Sequence, residues 1–253
     1  MQEKENDCLS LAKKAAIKAG EEILKVYEKD FKVSYKKDDS PITIADRKAN
    51  DIIENILTET NIPILSEEGN QIDFSERINW DLLWIVDPLD GTKEFVKRNG
   101  EFTVNIALIK DGNPIIGVIY VPVSDCLYYA SSLGTFKEFN GKKNQLPLKT
   151  ELRSFRVVGS RSHLSLETEN YINKLREEKG EIEIISMGSS LKICLVAEGY
   201  ADVYPRFAPT MEWDTAAGHA IAKYAGKNLI DLETKSEMIY NREILKNNWF
   251  IVR

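Results

Sequence analysis

The chain has 253 residues, 43% hydrophobic and 29% charged, which is the composition of a folded globular protein. Its net charge of -6 argues against binding of polymeric nucleic acid, so we expect any phosphate-bearing ligand to be small. No apolar run approaches the ~20 residues of a transmembrane segment, and the charged N-terminus lacks the apolar region of a signal peptide. The three scattered cysteines and two histidines argue against a disulfide framework and a histidine-based metal centre. We therefore expect a cytoplasmic protein, with peripheral association with the inner membrane face and the oligomeric state left open.

The first half of the chain begins with two predicted helices. Apolar residues at helical spacing predict an amphipathic helix over residues 7–27. After a polar loop, the sequence from Thr43 to Asp46 matches a capping box that opens a helix ending near Leu57. A short apolar run over residues 64–66 then ends in two carboxylates.

The pattern then changes to strands. An apolar run over residues 82–86 predicts a buried strand that ends abruptly at Asp87. Strands over residues 103–109 and 115–121 are joined by a turn, and the β pattern continues from residue 126 to 136. This succession predicts an α+β first half.

A polar stretch over residues 142–154 is the candidate boundary between an N-terminal half (1–145) and a C-terminal half (146–253). Beyond it, strands and helices alternate, which predicts an α/β second half. The predicted strands are 156–159, 183–186, 201–204 and 249–252, and the predicted helices are 166–179, 190–198 and 214–222.

The loop after residue 86 is the most informative segment. Pro88 fixes one backbone angle, and Gly91 allows the backbone to approach a ligand closely. Magnesium prefers oxygen ligands, often carboxylates together with phosphate oxygens. The loop offers such ligands in the carboxylates of Asp87 and Asp90, the carbonyl of Leu89 and the hydroxyl of Thr92. Because Asp, Pro and Gly also form ordinary turns, the loop alone is consistent with a turn or a metal site.

Two other acidic clusters lie at the ends of predicted elements. Glu67 and Glu68 follow the run at 64–66, and Asp214 opens a helix rich in small residues. Taken singly, the glutamates are consistent with solvated loop charges and Asp214 with a helix N-cap. Three acidic clusters at element ends together favour a metal site, because such sites are assembled from those ends.

These motifs, in this order, resemble the inositol monophosphatase superfamily of magnesium-dependent, lithium-sensitive phosphatases. The resemblance rests on the Glu67 and Glu68 pair, on DPLDGT at 87–92 and on WDTAAG at 213–218. The extension KEF at 93–95 is similar to the 3'(2'),5'-bisphosphate nucleotidase branch of the superfamily, the CysQ type. The resemblance covers nearly the whole chain. It implies a layered αβαβα sandwich in which both halves contribute to one site.

The resemblance also implies the chemistry. The expected reaction is hydrolysis of 3'-phosphoadenosine 5'-phosphate to AMP and phosphate, which clears a by-product of sulfur assimilation. An inositol or sugar monophosphate is the alternative substrate. A catalytically silent regulator is disfavoured because every expected carboxylate is present.

By the same resemblance, two or three magnesium ions bind near one another. Their implied ligands are Glu67, Asp87, Leu89 through its carbonyl, Asp90 and Asp214. Asp46 and Thr92 resemble a catalytic pair in which the hydroxyl helps to activate water, although Asp46 is also consistent with a purely structural capping role. Glu68 is expected to orient the nucleophilic water or a more weakly held ion.

Substrate binding is expected to have two parts. The amides of Gly91 and Thr92 would bind an anion if a helix begins there, close to Glu67, Leu89, Asp90 and Asp214. The resemblance implies that the nucleotide and its second phosphate contact His163, Ser189, Lys192 and Arg206. The planar guanidinium of Arg206 suits phosphate, whereas the other three are also consistent with helix caps or solvated surface residues. His219 is interpreted as structural. The tryptophans Trp80, Trp84, Trp213 and Trp249 are expected to belong to the core and not to form an adenine-binding surface.

Overall fold

The computed structural model describes residues 2–29, 33–35, 41–148, 153–160 and 165–253. The helices of these segments are α1 (Gln2–Tyr27), α2 (Ile44–Leu57), α3 (Phe74–Arg77), α4 (Thr92–Val96), α5 (Leu166–Lys179), α6 (Leu191–Glu198) and α7 (Glu212–Tyr224). The strands of the larger sheet are β3 (Ile64–Ser66), β4 (Leu82–Asp90), β5 (Thr103–Lys110), β6 (Asn113–Val121), β7 (Cys126–Ser131), β8 (Gly134–Phe139) and β9 (Lys142–Gln145). The other strands are β1 (Val33–Tyr35), β2 (Pro41–Thr43), β10 (Phe155–Ser160), β11 (Ile182–Met187), β12 (Tyr204–Arg206), β13 (Leu229–Asp231) and β14 (Phe250–Val252).

A seven-stranded sheet, in the order β3-β4-β5-β6-β7-β8-β9, forms the centre of the first half. Its strands pair in antiparallel fashion except for β3 and β4, which are parallel. α1 and α2 pack on one face of this sheet, and α7 packs on the other. The sheet is therefore buried on both sides by separate hydrophobic clusters.

The remaining layers lie beyond α7. α6 packs beside α7, and beyond this pair lie β10, β11 and β12, with β12 joined to β14 and β13 in a small antiparallel sheet. α5 contacts β11 and β12 on the outer side. The result is the predicted αβαβα sandwich. The proposed division of the chain between residues 145 and 146 stays a prediction. α7 of the second half packs directly on the sheet of the first half.

Small residues bring α7 very close to its neighbours. A Cβ atom added to Gly117 of β6 would lie 2.3 Å from the carbonyl oxygen of Ala217. A Cβ atom on Gly218 would lie 2.8 Å from the Cδ1 atom of Ile193. α7 thus packs closely against both the large sheet and α6, which fixes the distance between its first turn and the sheet.

Several predicted boundaries need correction. α1 begins at Gln2 and not at residue 7, and α7 begins at Glu212, with Met211 and not Asp214 at its N-cap. β4 does not end at residue 86 but reaches Asp90, with a register irregularity between Asp87 and Asp90. Pro88 has no N–H to donate, and the Leu89 N–H donates to the Asp87 carboxylate at 3.0 Å, so the strand bulges instead of ending.

The strand predicted at 201–204 is also displaced, because the strand is β12. The Ala201 N–H bonds to the carbonyl of Leu195 in α6, so this residue continues the end of the helix. Val203 makes only an isolated bridge with Val157 of β10. Among the described helices, none has the length and apolar character needed to cross a bilayer.

Candidate metal and phosphate site

The parallel pairing of β3 and β4 brings the first carboxylates together. Ser66 is paired with Val86, so Glu67, just after the end of β3, lies beside Asp87 at the start of the β4 bulge. The Glu67 N–H donates to the Val86 carbonyl at 3.1 Å. Asp214 approaches from the first turn of α7. One carboxylate oxygen from each of Glu67, Asp87 and Asp214 lies within 4.8 Å of the other two.

The electrostatics of this cluster suit a cation. Asp87 is only 1% exposed, and burial, followed by the charges of Glu67, Asp90 and Asp214, raises its pKa well above the ordinary value. Burial and the charge of Asp90 raise the pKa of Asp214 to about 8. An all-oxygen donor set of crowded carboxylates fits a hard divalent ion such as Mg²⁺. The chain's own donor chemistry therefore agrees with the implied cofactor.

Asp90 lies beside the three-carboxylate group. Its Oδ2 atom accepts the Ser190 N–H at 2.6 Å, which leaves Oδ1 for another partner. Asp90 is therefore close enough for its charge to raise the pKa of Asp87 and of Asp214, and it is also hydrogen-bonded to the start of α6. Leu89 is buried, and its carbonyl accepts a long 3.4 Å hydrogen bond from the Thr92 hydroxyl.

Two adjoining cavities open at this point of the molecule. One, of about 430 Å³, is lined by the proposed metal ligands Glu67, Asp87, Leu89, Asp90 and Asp214 and by Gly91 and Thr92. We call it the carboxylate cleft. The other, of about 510 Å³, is lined by Ser189, Lys192 and Arg206, and it shares Asp90, Gly91 and Asp214 with the first. We call it the basic pocket.

Asp46 makes the contacts that both interpretations of this residue require. Its Oδ2 atom accepts the N–H and the hydroxyl of Thr43, each at 2.8 Å, which completes the predicted capping box. Its Oδ1 atom accepts the Thr92 hydroxyl at 3.2 Å. Burial raises the pKa of Asp46, against the hydrogen bonds from Thr43, and the charge of Glu68 raises it further. The helix cap therefore fixes the carboxylate that faces the site.

Gly91 connects the cleft to α4. Its φ of 91° lies in the left-handed region, and an added Cβ would approach the carbonyl oxygen of Glu101 to 3.2 Å. Only glycine meets both demands without strain. α4 begins at Thr92, as the proposed anion site at this turn requires.

The basic pocket is built on a tight turn at residues 188–190. Ser189 has a φ of 43°, an uncommon conformation for a non-glycine residue. The Lys192 ammonium donates to the carbonyl of Ser189 at 2.5 Å, and burial lowers its pKa to about 8 against the opposing charge of Asp90. Arg206 donates to the Pro209 carbonyl at 3.2 Å, while its Nε atom is buried without a hydrogen-bond partner.

A buried polar network behind Asp90 was missed from the sequence. The Asn105 Oδ1 atom accepts the hydroxyl of Ser190 at 2.8 Å and that of Thr103 at 3.0 Å, and its Nδ2 atom lies 3.4 Å from the Asp90 carboxylate. Thr103 and Asn105 are polar residues within an otherwise apolar strand, which is the signal that would have identified them. Their function depends on pairing with β4, where Asp87 opposes Asn105 and Asp90 opposes Thr103.

The remaining sequence-based expectations have different outcomes. His163 falls outside the described residues. His219 is fully buried and contacts the Tyr240 hydroxyl at 3.1 Å through Nδ1, which agrees with a structural role. The expectation that the tryptophans belong to the core is wrong for Trp249, which is 45% exposed, whereas Trp84 is fully buried.

Comparison with known proteins identifies the class. Residues 4–251 match the inositol monophosphatase family. The chain belongs to this family, as its motifs predicted.

Individual relatives define the branch. The 3'(2'),5'-bisphosphate nucleotidase CysQ of Salmonella typhimurium is 48% identical over 238 residues, which cover 92% of this chain and 94% of that protein. The CysQ nucleotidase of Escherichia coli K12 is 47% identical over the same shares of both chains. The crystal structure of CysQ from Bacteroides thetaiotaomicron, a bacterial member of the inositol monophosphatase family, is 52% identical and superposes with a TM-score of 0.91. That comparison covers 98% of this chain and 97% of the other.

Proposed function

We propose that the chain is a magnesium-dependent 3'(2'),5'-bisphosphate nucleotidase that hydrolyses 3'-phosphoadenosine 5'-phosphate to AMP and phosphate. The observation that carries this proposal is the contact between the carboxylate cleft and the basic pocket, which share Asp90, Gly91 and Asp214. A bisphosphate would direct its reacting phosphate to the cleft and its second phosphate to the pocket. The identity with nucleotidases named CysQ supports the same substrate.

The metal ligands in this proposal are Glu67, Asp87, Asp90, Asp214 and the Leu89 carbonyl. Two or three magnesium ions held there would lower the pKa of water and neutralise charge on the reacting phosphate. Burial and the neighbouring carboxylates raise the pKa of Asp87, so its charged form is disfavoured without a counter-charge.

Thr92 and Asp46 are proposed to manage the proton. The Thr92 hydroxyl already donates to Asp46, so its oxygen lone pairs are available to accept a hydrogen bond from water in the cleft. A proton passed to Thr92 can continue to Asp46 Oδ1, whose raised pKa favours its acceptance. Glu68 is close enough to Asp46 to raise its pKa, which fits an orienting role for the same water.

In the basic pocket, Arg206 is proposed to bind the second phosphate through its guanidinium, including the unpartnered Nε atom. Lys192 contributes positive charge, although two backbone carbonyls already accept hydrogen bonds from its ammonium. Ser189 adds a hydroxyl at the wall of the pocket. His163 is proposed to contact the nucleotide on the basis of the family resemblance alone. The expected cytoplasmic location stays a prediction.

Three substrates, assayed with magnesium and with a chelator, test the proposal. They are 3'-phosphoadenosine 5'-phosphate, 3'-AMP, which lacks the second phosphate, and inositol monophosphate. We expect the bisphosphate to be hydrolysed with a kcat/KM about ten- to a hundredfold higher than 3'-AMP, the worth of one charge-assisted hydrogen bond. Activity should disappear with the chelator and return with magnesium.

Other outcomes have distinct meanings. Activity that survives complete chelation would contradict the metal-dependent mechanism. Faster hydrolysis of inositol monophosphate than of the bisphosphate would replace the nucleotidase assignment with the alternative phosphatase.

A further inference from the structure

The candidate ligand Asp214 is positioned by the start of α7, and that start is enclosed by residues 241–247. The Met211 N–H donates to the Asp214 Oδ2 atom at 2.8 Å, so this helix turn sets the direction of the carboxylate. The carbonyl of Leu245 accepts the Glu212 N–H at 2.9 Å. The side-chain amide of Asn247 donates to the Met211 carbonyl at 2.7 Å. Residues 241–247 form what we call the α7 clamp.

A buried glutamate holds the clamp in place. Glu212 has no exposed surface, and its carboxylate accepts the N–H groups of Asn241 at 2.7 Å and Arg242 at 3.1 Å. The Arg242 Nε atom adds an ion pair at 3.0 Å. A carboxylate bound by three donors is fixed in direction, and a buried ion pair of this kind is better suited to specifying geometry than to adding stability.

An arginine of the first half holds the other side of the clamp. Arg77, only 2% exposed, donates to the Asn241 Oδ1 atom at 2.9 Å and to the Arg242 carbonyl at 3.2 Å. The Asn241 Nδ2 atom returns a 2.7 Å hydrogen bond to the Arg77 carbonyl. Arg77 ends α3, the helix that follows Glu67 in the chain. One set of buried contacts therefore joins the segment after Glu67 to the helix that carries Asp214.

We propose that Arg77, Glu212 and the α7 clamp are positioning residues that set the separation of Glu67 and Asp214 and thereby tune the affinity of the site for magnesium. Of this set, Lys246 alone lines the carboxylate cleft. Arg77, Glu212 and Asn241 do not line it, so they act through the ligands and not on the substrate. Partners of metal ligands commonly alter metal affinity by about ten- to a hundredfold when they are changed. The inference rests on the metal-dependent function proposed above.

Asn241→Gly is the sharpest variant. It deletes both side-chain hydrogen bonds to Arg77 but keeps the backbone N–H that binds Glu212. The φ of Asn241 is 63°, which suits glycine, so the substitution does not strain the backbone. Asn140→Gly is the matched control, since Asn140 is an exposed residue with a φ of 51° in the turn between β8 and β9.

Magnesium affinity is measured by isothermal titration calorimetry, with kcat at saturating magnesium as a second readout. We expect Asn241→Gly to raise the magnesium Kd at least about threefold and Glu212→Gln about tenfold or more. For both variants, kcat at saturating magnesium should stay close to that of the wild type. Asn140→Gly should leave the Kd unchanged.

Glu198→Gln controls for the loss of a buried carboxylate. Glu198 of α6 forms an ion pair with Lys137 of β8 at 2.6 Å. Loss of this ion pair should lower the melting temperature without changing the magnesium Kd. A wild-type Kd in folded Asn241→Gly would overturn the inference while leaving the proposed function intact. A wild-type protein that binds no magnesium would overturn both. If Glu212→Gln does not fold, the Asn241→Gly result decides.

Discussion

The carboxylate cleft and the basic pocket are similar in volume but differ in the charged residues that each has to itself. Glu67 and Asp87 line only the cleft, and Lys192 and Arg206 line only the pocket. In the cleft, burial and neighbouring carboxylates raise the pKa of Asp87 and of Asp214. In the pocket, burial lowers the pKa of Lys192 to about 8. Burial thus favours the neutral form of the carboxylates in the cleft and of the Lys192 amine in the pocket. It therefore raises the pKa of the carboxylates and lowers the pKa of Lys192.

This difference shows what kind of ligand the region favours. A cation would stabilise the cleft and an anion would stabilise the pocket, and the proposed magnesium-bound bisphosphate would supply both. Asp90 lines both cavities, and burial raises its pKa against the opposing charges of Lys192 and Arg206. The following predictions test the contrast, beginning with the largest expected effect.

Removing a charge from the cleft should have the greatest effect. Asp87→Asn keeps the size of the side chain but deletes a carboxylate from the cluster, so we expect kcat to fall by roughly a hundredfold or more. Steady-state assays at saturating magnesium measure the loss. The matched control is Asp231→Asn, which alters a buried aspartate in β13 and should affect stability more than turnover. Equal turnover in wild type and Asp87→Asn would refute the role of the cleft.

Removing a charge from the pocket should affect one class of substrate. Arg206→Ala should lower kcat/KM for 3'-phosphoadenosine 5'-phosphate by about ten- to a hundredfold, because one charge-assisted hydrogen bond contributes about 1.5–3 kcal/mol. Hydrolysis of 3'-AMP should change little, since it has no second phosphate. Arg156→Ala, which alters an arginine paired with Glu183, is the control. Equal losses on both substrates would assign Arg206 to the fold or to the shared phosphate site.

The network behind Asp90 should have a smaller effect. Thr103→Val preserves shape but removes the hydroxyl that bonds to Asn105, so we expect magnesium affinity to fall by about two- to tenfold. Thr135→Val is a close control, because Thr135 is equally buried in the same sheet and bonds instead to the Ile221 carbonyl. A similar change of magnesium affinity in the two variants would show that Thr103 has no particular link to the site.

The pH dependence of stability should show the smallest effect. The pKa of Asp214 is raised from its ordinary value of 3.8 to about 8, so between these pH values the folded metal-free protein binds more protons than the unfolded chain. This contribution stabilises the metal-free protein as the pH falls from about 8 toward 4. Magnesium competes with those protons and should raise the melting temperature more at about pH 8 than at about pH 5.5.

Differential scanning calorimetry with and without magnesium at the two pH values measures this difference. A change of 1 kcal/mol corresponds to about 2–4 °C for a chain of this size. Asp214→Asn should reduce the dependence on pH. An effect of magnesium that is larger at the lower pH would contradict the sign of the predicted linkage.

Local sequence predicted the parts of the site that are continuous in the chain. The capping box at Thr43 was visible because its hydrogen bonds join residues three apart. The acidic end of β4 was visible because an apolar run stops there, although the bulge was not, since it depends on pairing with β5. The helix predicted over residues 166–179 has the bounds of α5.

Contacts between distant segments were not predictable in the same way. Arg77 and Asn241 are 164 positions apart, and nothing in either local sequence indicates the other. Asn105 acquires its role from strand register and from the approach of Ser190, which belongs to the other half of the chain. These contacts depend on the fold, and a single sequence does not indicate which distant residues the fold brings together.

The close packing of α7 has a consequence for how the protein tolerates change. Gly117 of β6 lets α7 approach the large sheet closely, and Gly218 within α7 lets the helix approach Ile193 of α6. A methyl group on Gly117 would meet the backbone of α7 and would have to displace the helix, and Asp214 would move with it. A methyl group on Gly218 would press on the Ile193 side chain of α6. Substitutions far from any ligand would then weaken metal binding while the carboxylates remain chemically intact. The precision of the site therefore depends on the absence of two side chains as much as on the presence of its acids.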